Sequence, residues 1–191
     1  GFEEVYLQEA LNLSTILVNN FWDEADGGFF LGSKNAEKLI ARAKTGYDGA
    51  IPSGNSIAVG LLHRLARITG DMKWAGMADT ILKIFSKDIE RSPRGFSAML
   101  LGYIFETDSP KEVVIVGNSN QVESMAFLTS VNSNYEPNKI ILFKDMSNKN
   151  SVLSTLAPWI ESQTTIDGKT TAYICENFAC NLPTTDLSIA M

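Results

Sequence analysis

The sequence predicts an α+β protein, with α-helical hairpins over residues 1–108 and a small α/β subdomain containing a βαβ unit over 109–191. Three observations predict it. Apolar residues before position 108 recur with helical period over long segments, whereas after it short Val/Ile-rich runs alternate with amphipathic ones. Short turns join the successive helical segments, as in antiparallel helical hairpins. At 191 residues, with 45% hydrophobic and 20% charged side chains, the chain has a globular composition and enough length to bury a core.

The first helix is "EVYLQEALNLSTILVNNFW", whose apolar set is Leu7, Ala10, Leu11, Ile16, Leu17, Phe21 and Trp22. The paired glycines of "DEADGGFF" end it. "NAEKLIARAK" follows as short helix or extended chain, the pattern fitting both. "SIAVGLLHRLARITG" is a second helix with Ile57, Ala58, Leu61, Leu62, Leu65 and Ile68 on one face, closed by Gly70 as its C′ residue. Asp71 then suits the N-cap of "MKWAGMADTILKIFSKDIE", which stops before Pro93. "GFSAMLLGYIFE" supplies a fourth helix.

Beyond "TDSP", Val113–Val116 reads as a buried strand bounded by charge and Gly117. "NQVESMAFLTSVNS" is a helix and "NKIILFKD" a second strand, giving a parallel βαβ unit. "SVLSTLAPWIES" is a further helix with Pro158 as kink or stop. Asp167-Gly168 turns the chain into a third strand over residues 170–175, so a sheet of about three strands on two helices is expected.

Charge and spacing exclude several function classes. A net charge of −6 with scattered basic residues argues against a nucleic-acid surface. No apolar run is long enough to span a bilayer, and the acidic, amphipathic "GFEEVYLQEA" is not a signal peptide. Cys175 and Cys180, spaced C-x4-C with the single His63 remote, do not suit zinc, so no metal and no cofactor are expected. They read as two reduced cysteines in or beside a strand, which favours a cytoplasmic location. With no initiator Met and a lone Gly1 before helix-forming sequence, the chain is expected to be a piece of a longer protein.

Four features remain as candidates for chemistry. "VVIVGNSN" has the strand–glycine–helix order of a nucleotide site but one glycine of the three. His63 is the one available general base. Helical geometry puts it with Arg67 opposite the apolar face, as a solvated residue. In "YDGAIPSGNS", Ser53, Asn55 and Ser56 sit at a helix N-terminus, with Tyr47 and Asp48 as ring and carboxylate. That group suits a sugar, or equally a capped loop in which Ser53 or Asn55 is the cap. In "FWDEADGGFF", Trp22, Asp23, Glu24 and Asp26 present an aromatic and several carboxylates at a helix end, as glycoside chemistry needs, and also read as a solvated turn.

"FWDEADGGFF", "YDGAIPSGNSIAVGLLHRLARITGD", "EVVIVG", "PNKIILF" and "IDGKTTAYICENFACNLPTTD", in this order, resemble the C-terminal region of the DUF255 or YyaL-like family. Its animal members are spermatogenesis-associated, thioredoxin-domain-containing proteins. The resemblance implies a thioredoxin-like domain followed by an (α/α)6 toroid similar to six-hairpin glycosidases and N-acylglucosamine 2-epimerases. Residues 1–108 would then be part of that toroid.

In such a toroid the inner-helix loops line a cavity, which implies a small carbohydrate as ligand for Tyr47, Asp48, Ser53, Asn55 and Ser56, with Trp22 and Asp23 secondary. The alternative is a non-catalytic scaffold or redox-accessory module serving the thioredoxin-like domain, with Cys175 and Cys180 as redox partners. The isolated piece is expected to be inactive. Its cut helix faces suit a second copy, making a homodimer a candidate assembly.

Overall fold

The computed structural model describes residues 3–37, 41–133 and 135–188. Among them are six helices and a four-stranded sheet, an α+β architecture. The chain forms two compact units. Of the described residues, one unit comprises those within Tyr6–Ala66 and Asp71–Thr107; the other comprises residues 3–5, Arg67–Gly70 and those from Asp108 to 188.

The helical unit carries most of α1 (Glu4–Phe21) and α2 (Gly54–Thr69), and all of α3 (Lys73–Arg91) and α4 (Ser97–Thr107). Helix α1 ends in a turn where Gly27 and Gly28 adopt φ of 79° and 76°, the left-handed region that glycine enters without a steric cost. Residues 41–48 are irregular, and residues 38–40 of the ambiguous "NAEKLIARAK" lie outside the described residues. Gly70 follows α2 with φ 74°, as a C′ glycine does. Helix α3 starts later than its sequence suggests. Its N-cap is Met72, while the Asp71 carboxylate still accepts the Lys73 N–H at 3.1 Å. Pro93 ends α3 and opens a short 3-10 turn, Pro93–Phe96, that leads into α4.

Helix α2 is phased differently from its apolar pattern. Ala58, Val59, Leu62, Leu65 and Ala66 are buried, but Ile57 is 56% exposed, and Leu61 and Ile68 are half-buried. The open strip runs through Ile57 and Arg64, one heptad apart. The reason is that α2 is covered over most of its circumference, so His63 and Arg67 are drawn inside with it. Gly60 of α2 and Gly102 of α4 mark a close approach, since a Cβ on Gly102 would lie 2.7 Å from the Gly60 nitrogen.

In the other unit the sheet order is β2-β1-β3-β4. The central strand β1 (Lys111–Gly117) is buried from Glu112 onward, as its unbroken apolar run requires of a strand covered on both faces. It pairs in parallel with β2 (Lys139–Asp145) and antiparallel with β3 (Thr171–Glu176). Helix α5 (Val122–Ser133) makes the βα crossover, and Phe127, Leu128 and Val131 close the core over Val113, Ile115 and Phe143.

Two expectations need correction here. The segment 151–162 forms only a one-turn helix, α6 (Leu153–Leu156), and a 3-10 turn, Pro158–Ile160, because the proline ring and its missing N–H stop propagation. The sheet gains a fourth strand, β4 (Ala179–Cys180), where Asn177 and Phe178 take φ of 53° and 62° and fold the chain back on β3. Asp167 and Gly168, at φ 49° and 71°, make the turn into β3 that their sequence signals.

Gly102→Ala is expected to destabilise the protein by roughly 1–3 kcal/mol, because its methyl meets backbone that cannot yield. Urea denaturation measures it, and an unchanged midpoint would show that α2 and α4 do not approach this closely.

Candidate functional site

The segment 45–56 builds its geometry from hydrogen bonds to backbone. Ser53 is the N-cap of α2: its Oγ accepts the Ser56 N–H at 3.1 Å and donates to Ser56 Oγ at 2.9 Å. Ser56 Oγ in turn donates to the Gly46 carbonyl at 3.0 Å. The buried Asn55 amide accepts the Phe29 N–H at 2.7 Å and donates to the carbonyls of Phe29 and Thr45, both at 2.9 Å. Asp48 bridges two helix starts, accepting the Ser53 N–H at 2.9 Å on Oδ1 and the Ala98 N–H of α4 at 2.8 Å on Oδ2. Each side chain thus meets orphan donors or acceptors that the loop and helix ends would otherwise leave buried.

Tyr47 is different. It is 61% exposed, its ring lies against Gly95, and it meets Phe96 edge-on at 6.2 Å between centroids. It lines an open groove of about 410 Å³ with Phe85 and Phe96 as apolar floor and Asp88, Arg91 and Ser92 at the rim. Lys44 also lines it, but its ammonium is directed to Asp23 Oδ2 at 2.6 Å and the Gly27 carbonyl at 2.8 Å.

Asp23 uses its other oxygen for the Ala25 N–H at 3.0 Å and the Asp26 N–H at 3.4 Å, and the Lys44 hydrogen bond lowers its pKa. Trp22 packs edge-on against Phe29 at 5.0 Å. Of the seven candidate ligand residues, the groove therefore takes Tyr47. Asp48, Ser53, Asn55 and Ser56 hold the loop behind it, and Trp22 and Asp23 hold the turn after α1.

His63 is not a solvated residue. It is 1% exposed, and its Nδ1 lies 3.7 Å from Glu106 Oε2. Arg67 is buried as well, its Nη1 donating to Glu112 Oε1 at 3.2 Å and to Asn177 Oδ1 at 2.8 Å. Burial pushes the Glu112 carboxyl up in pKa, against the Phe178 N–H and the Arg67 guanidinium. In both cases a carboxylate meets the basic side chain that the covering of α2 draws inside. The glycine of "VVIVGNSN" serves packing, since a Cβ on Gly117 would collide with Ser124 Oγ, itself 2.8 Å from Thr170 Oγ1.

The cysteines are joined. Cys175 and Cys180 form a disulfide between paired positions of β3 and β4, correcting the expectation of two reduced thiols, and the case that expectation made for a reducing compartment falls with it. The left-handed turn at Asn177 and Phe178 places the two cysteines of the C-x4-C segment opposite each other.

A second cavity, of about 420 Å³, was not legible in any motif. It lies beyond the carboxyl ends of β1 and β2 and is lined by Glu3, Glu4, Ser119, Phe143, Asp145 and Asn148. Burial raises the Asp145 carboxyl, but hydrogen bonds from Ser119 and Ser147 outweigh it and bring the pKa down to about 2. Among the described residues, no helix is long and apolar enough to cross a membrane.

Over 185 residues, 96% of the chain, the sequence is 32% identical to spermatogenesis-associated protein 20 of Homo sapiens, and 33% identical to those of Rattus norvegicus and Mus musculus. The chain spans 23%, about a quarter, of the length of these relatives. The similarity fits the spermatogenesis-associated family that the loop and hairpin motifs resemble. No family model matches the chain.

Asp48→Ala is expected to cost about 2–3 kcal/mol, since two helix-start N–H groups lose a charged acceptor. Chemical denaturation measures it, and a loss below about 0.5 kcal/mol would show that Asp48 does not cap both helices. A depressed carboxylate stabilises above its ordinary pKa and loses that contribution as pH falls through the folded value. Asp145→Asn is therefore expected to cost about 2 kcal/mol at neutral pH and to flatten the stability change between pH 4 and pH 2. An unaltered acid limb would contradict it.

Proposed function

We propose that the chain is part of a longer protein of the spermatogenesis-associated family, and that its helical unit contributes hairpins and a carbohydrate-contacting surface to an (α/α)6 toroid. The observation that carries the reading is Tyr47, an exposed ring set edge-on to Phe96 on an open groove with charged groups at its rim. A sugar offers C–H faces to such a ring and hydroxyls to carboxylate and guanidinium groups. Asp88 and Arg91 of α3 stand at that rim.

The toroid part draws support from helices that are apolar beyond their buried faces. Helix α4 buries Met99, Gly102 and Phe105 yet exposes Leu101 and Ile104, and α1 exposes Leu13 and Ile16. A helix apolar on all sides suits the interior of a larger helical array. Binding, not hydrolysis, is the activity proposed for this surface. Glycoside hydrolysis needs two carboxylates across the bond, and among the described lining residues Asp88 is the one carboxylate.

A scaffold role is the second reading. The engagement of Asp48, Ser53, Asn55 and Ser56 in loop backbone favours it, because those side chains serve rigidity. The thioredoxin-like domain implied by the family resemblance would be the partner such a scaffold supports.

Titration of the protein with a panel of mono- and oligosaccharides, followed by calorimetry and by the Tyr47 resonances, tests the first reading. Saturable binding is expected, with Tyr47→Ala weakening it at least about tenfold while stability falls by no more than about 1 kcal/mol. Absence of binding across the panel, or binding undiminished by Tyr47→Ala, would overturn it in favour of the scaffold.

A further inference from the structure

We infer that Cys175–Cys180 is an exchangeable disulfide, attacked at Cys180 by the thiolate of a dithiol donor. This goes beyond the carbohydrate reading and does not depend on it. The two sulfurs sit in unlike surroundings. Cys175 is 0% exposed, whereas Cys180 is exposed and lines an open groove of about 460 Å³ with Trp159, Tyr173, Phe178, Leu182 and Pro183. An incoming thiolate therefore reaches one sulfur of the pair, and access is what separates a labile disulfide from an inert one.

The groove also carries a polar anchor. Gln163 is 6% exposed and lines it, with Nε2 3.8 Å from Cys180 Sγ, within reach to donate to a thiolate that develops there. Its Oε1 is buried without a hydrogen-bond partner among the described residues. Lys144 fixes the segment that presents Gln163, donating to the carbonyls of Ile160, Glu161 and Gln163 at 3.0, 2.8 and 2.8 Å.

The bond closes a short loop, with a sequence separation of 5, so it constrains the unfolded chain less than a disulfide between distant segments would. The turn at Asn177 and Phe178 already sets the hairpin, and a staple for folding is the weaker use of this disulfide.

The exchange balances as follows. One donor thiolate attacks Cys180 Sγ, the Cys175–Cys180 bond breaks, and Cys175 Sγ leaves with the electron pair and takes up a proton. The donor's second thiolate then attacks its own sulfur in the mixed disulfide and expels Cys180, which is protonated in turn. The donor ends as a disulfide, having passed two electrons to the cysteines, which take up two protons from solvent. Afterwards Cys175 is the buried thiol and Cys180 the accessible one.

The test treats the native protein with dithiothreitol at neutral pH, quenches with an alkylating agent and maps the modified cysteines by mass spectrometry. Reduction is expected at a rate within about tenfold of that in denaturant. In Cys175→Ser, Cys180 is expected to form a mixed disulfide with oxidised glutathione at least about 100-fold faster than Cys175 does in Cys180→Ser. A disulfide reduced only after unfolding, or faster reaction at Cys175, would overturn the inference. The native rate of the unaltered protein decides the matter should either variant fail to fold.

Discussion

The helical unit depends on one buried amide. A loop that crosses the start of a helix brings backbone N–H and C=O groups into the interior, and each must find a partner or cost free energy. Asn55 answers both groups of Phe29 and the carbonyl of Thr45 from a single side chain at 2% exposure. The turn after α1 and the irregular stretch before α2 are thereby held to the same point. Asp48 extends the arrangement to the start of α4, and Ser53 and Ser56 close the first turn of α2. An amide that both donates and accepts suits this position; a carboxylate would face two carbonyls with no proton to offer.

The same rule governs the basic residues of α2. His63 and Arg67 lie inside and meet Glu106 and Glu112 there, and Arg67 gains Asn177 as a further acceptor. Phe178, next in the chain, places its N–H 3.4 Å from Glu112 Oε2 and its ring edge-on to Trp159 at 5.5 Å. The hairpin tip is thus fixed by polar and aromatic contacts, and the disulfide stands beside them as the chemically reactive part.

Much of this fold is legible in the chain. The unbroken run at Val113–Val116 announced a strand covered on both faces, and Gly70 and Pro93 punctuate the helices where they stand in the sequence. What escaped is non-local. The phase of α2 depends on being packed over most of its circumference, which one helix's pattern does not disclose, so Ile57 and His63 exchange the places their periodicity suggests. The short β4 strand and its disulfide follow from left-handed conformations at Asn177 and Phe178, the latter a residue that does not advertise such a turn. Within the loop 45–56 the polar residue types were legible as cap or ligand group alike. The structure separates them by direction, turning Asp48, Ser53, Asn55 and Ser56 to backbone and leaving Tyr47 on the groove.

Side chains of this loop clamp backbone at three separate places. Native-state amide hydrogen exchange reads it directly at Phe29, Ser53 and Ala98, whose N–H groups donate to Asn55 and Asp48. Protection approaching that of the buried turns of α2 is the result this account predicts. Exchange at the rate of an open surface loop at these three amides would contradict it.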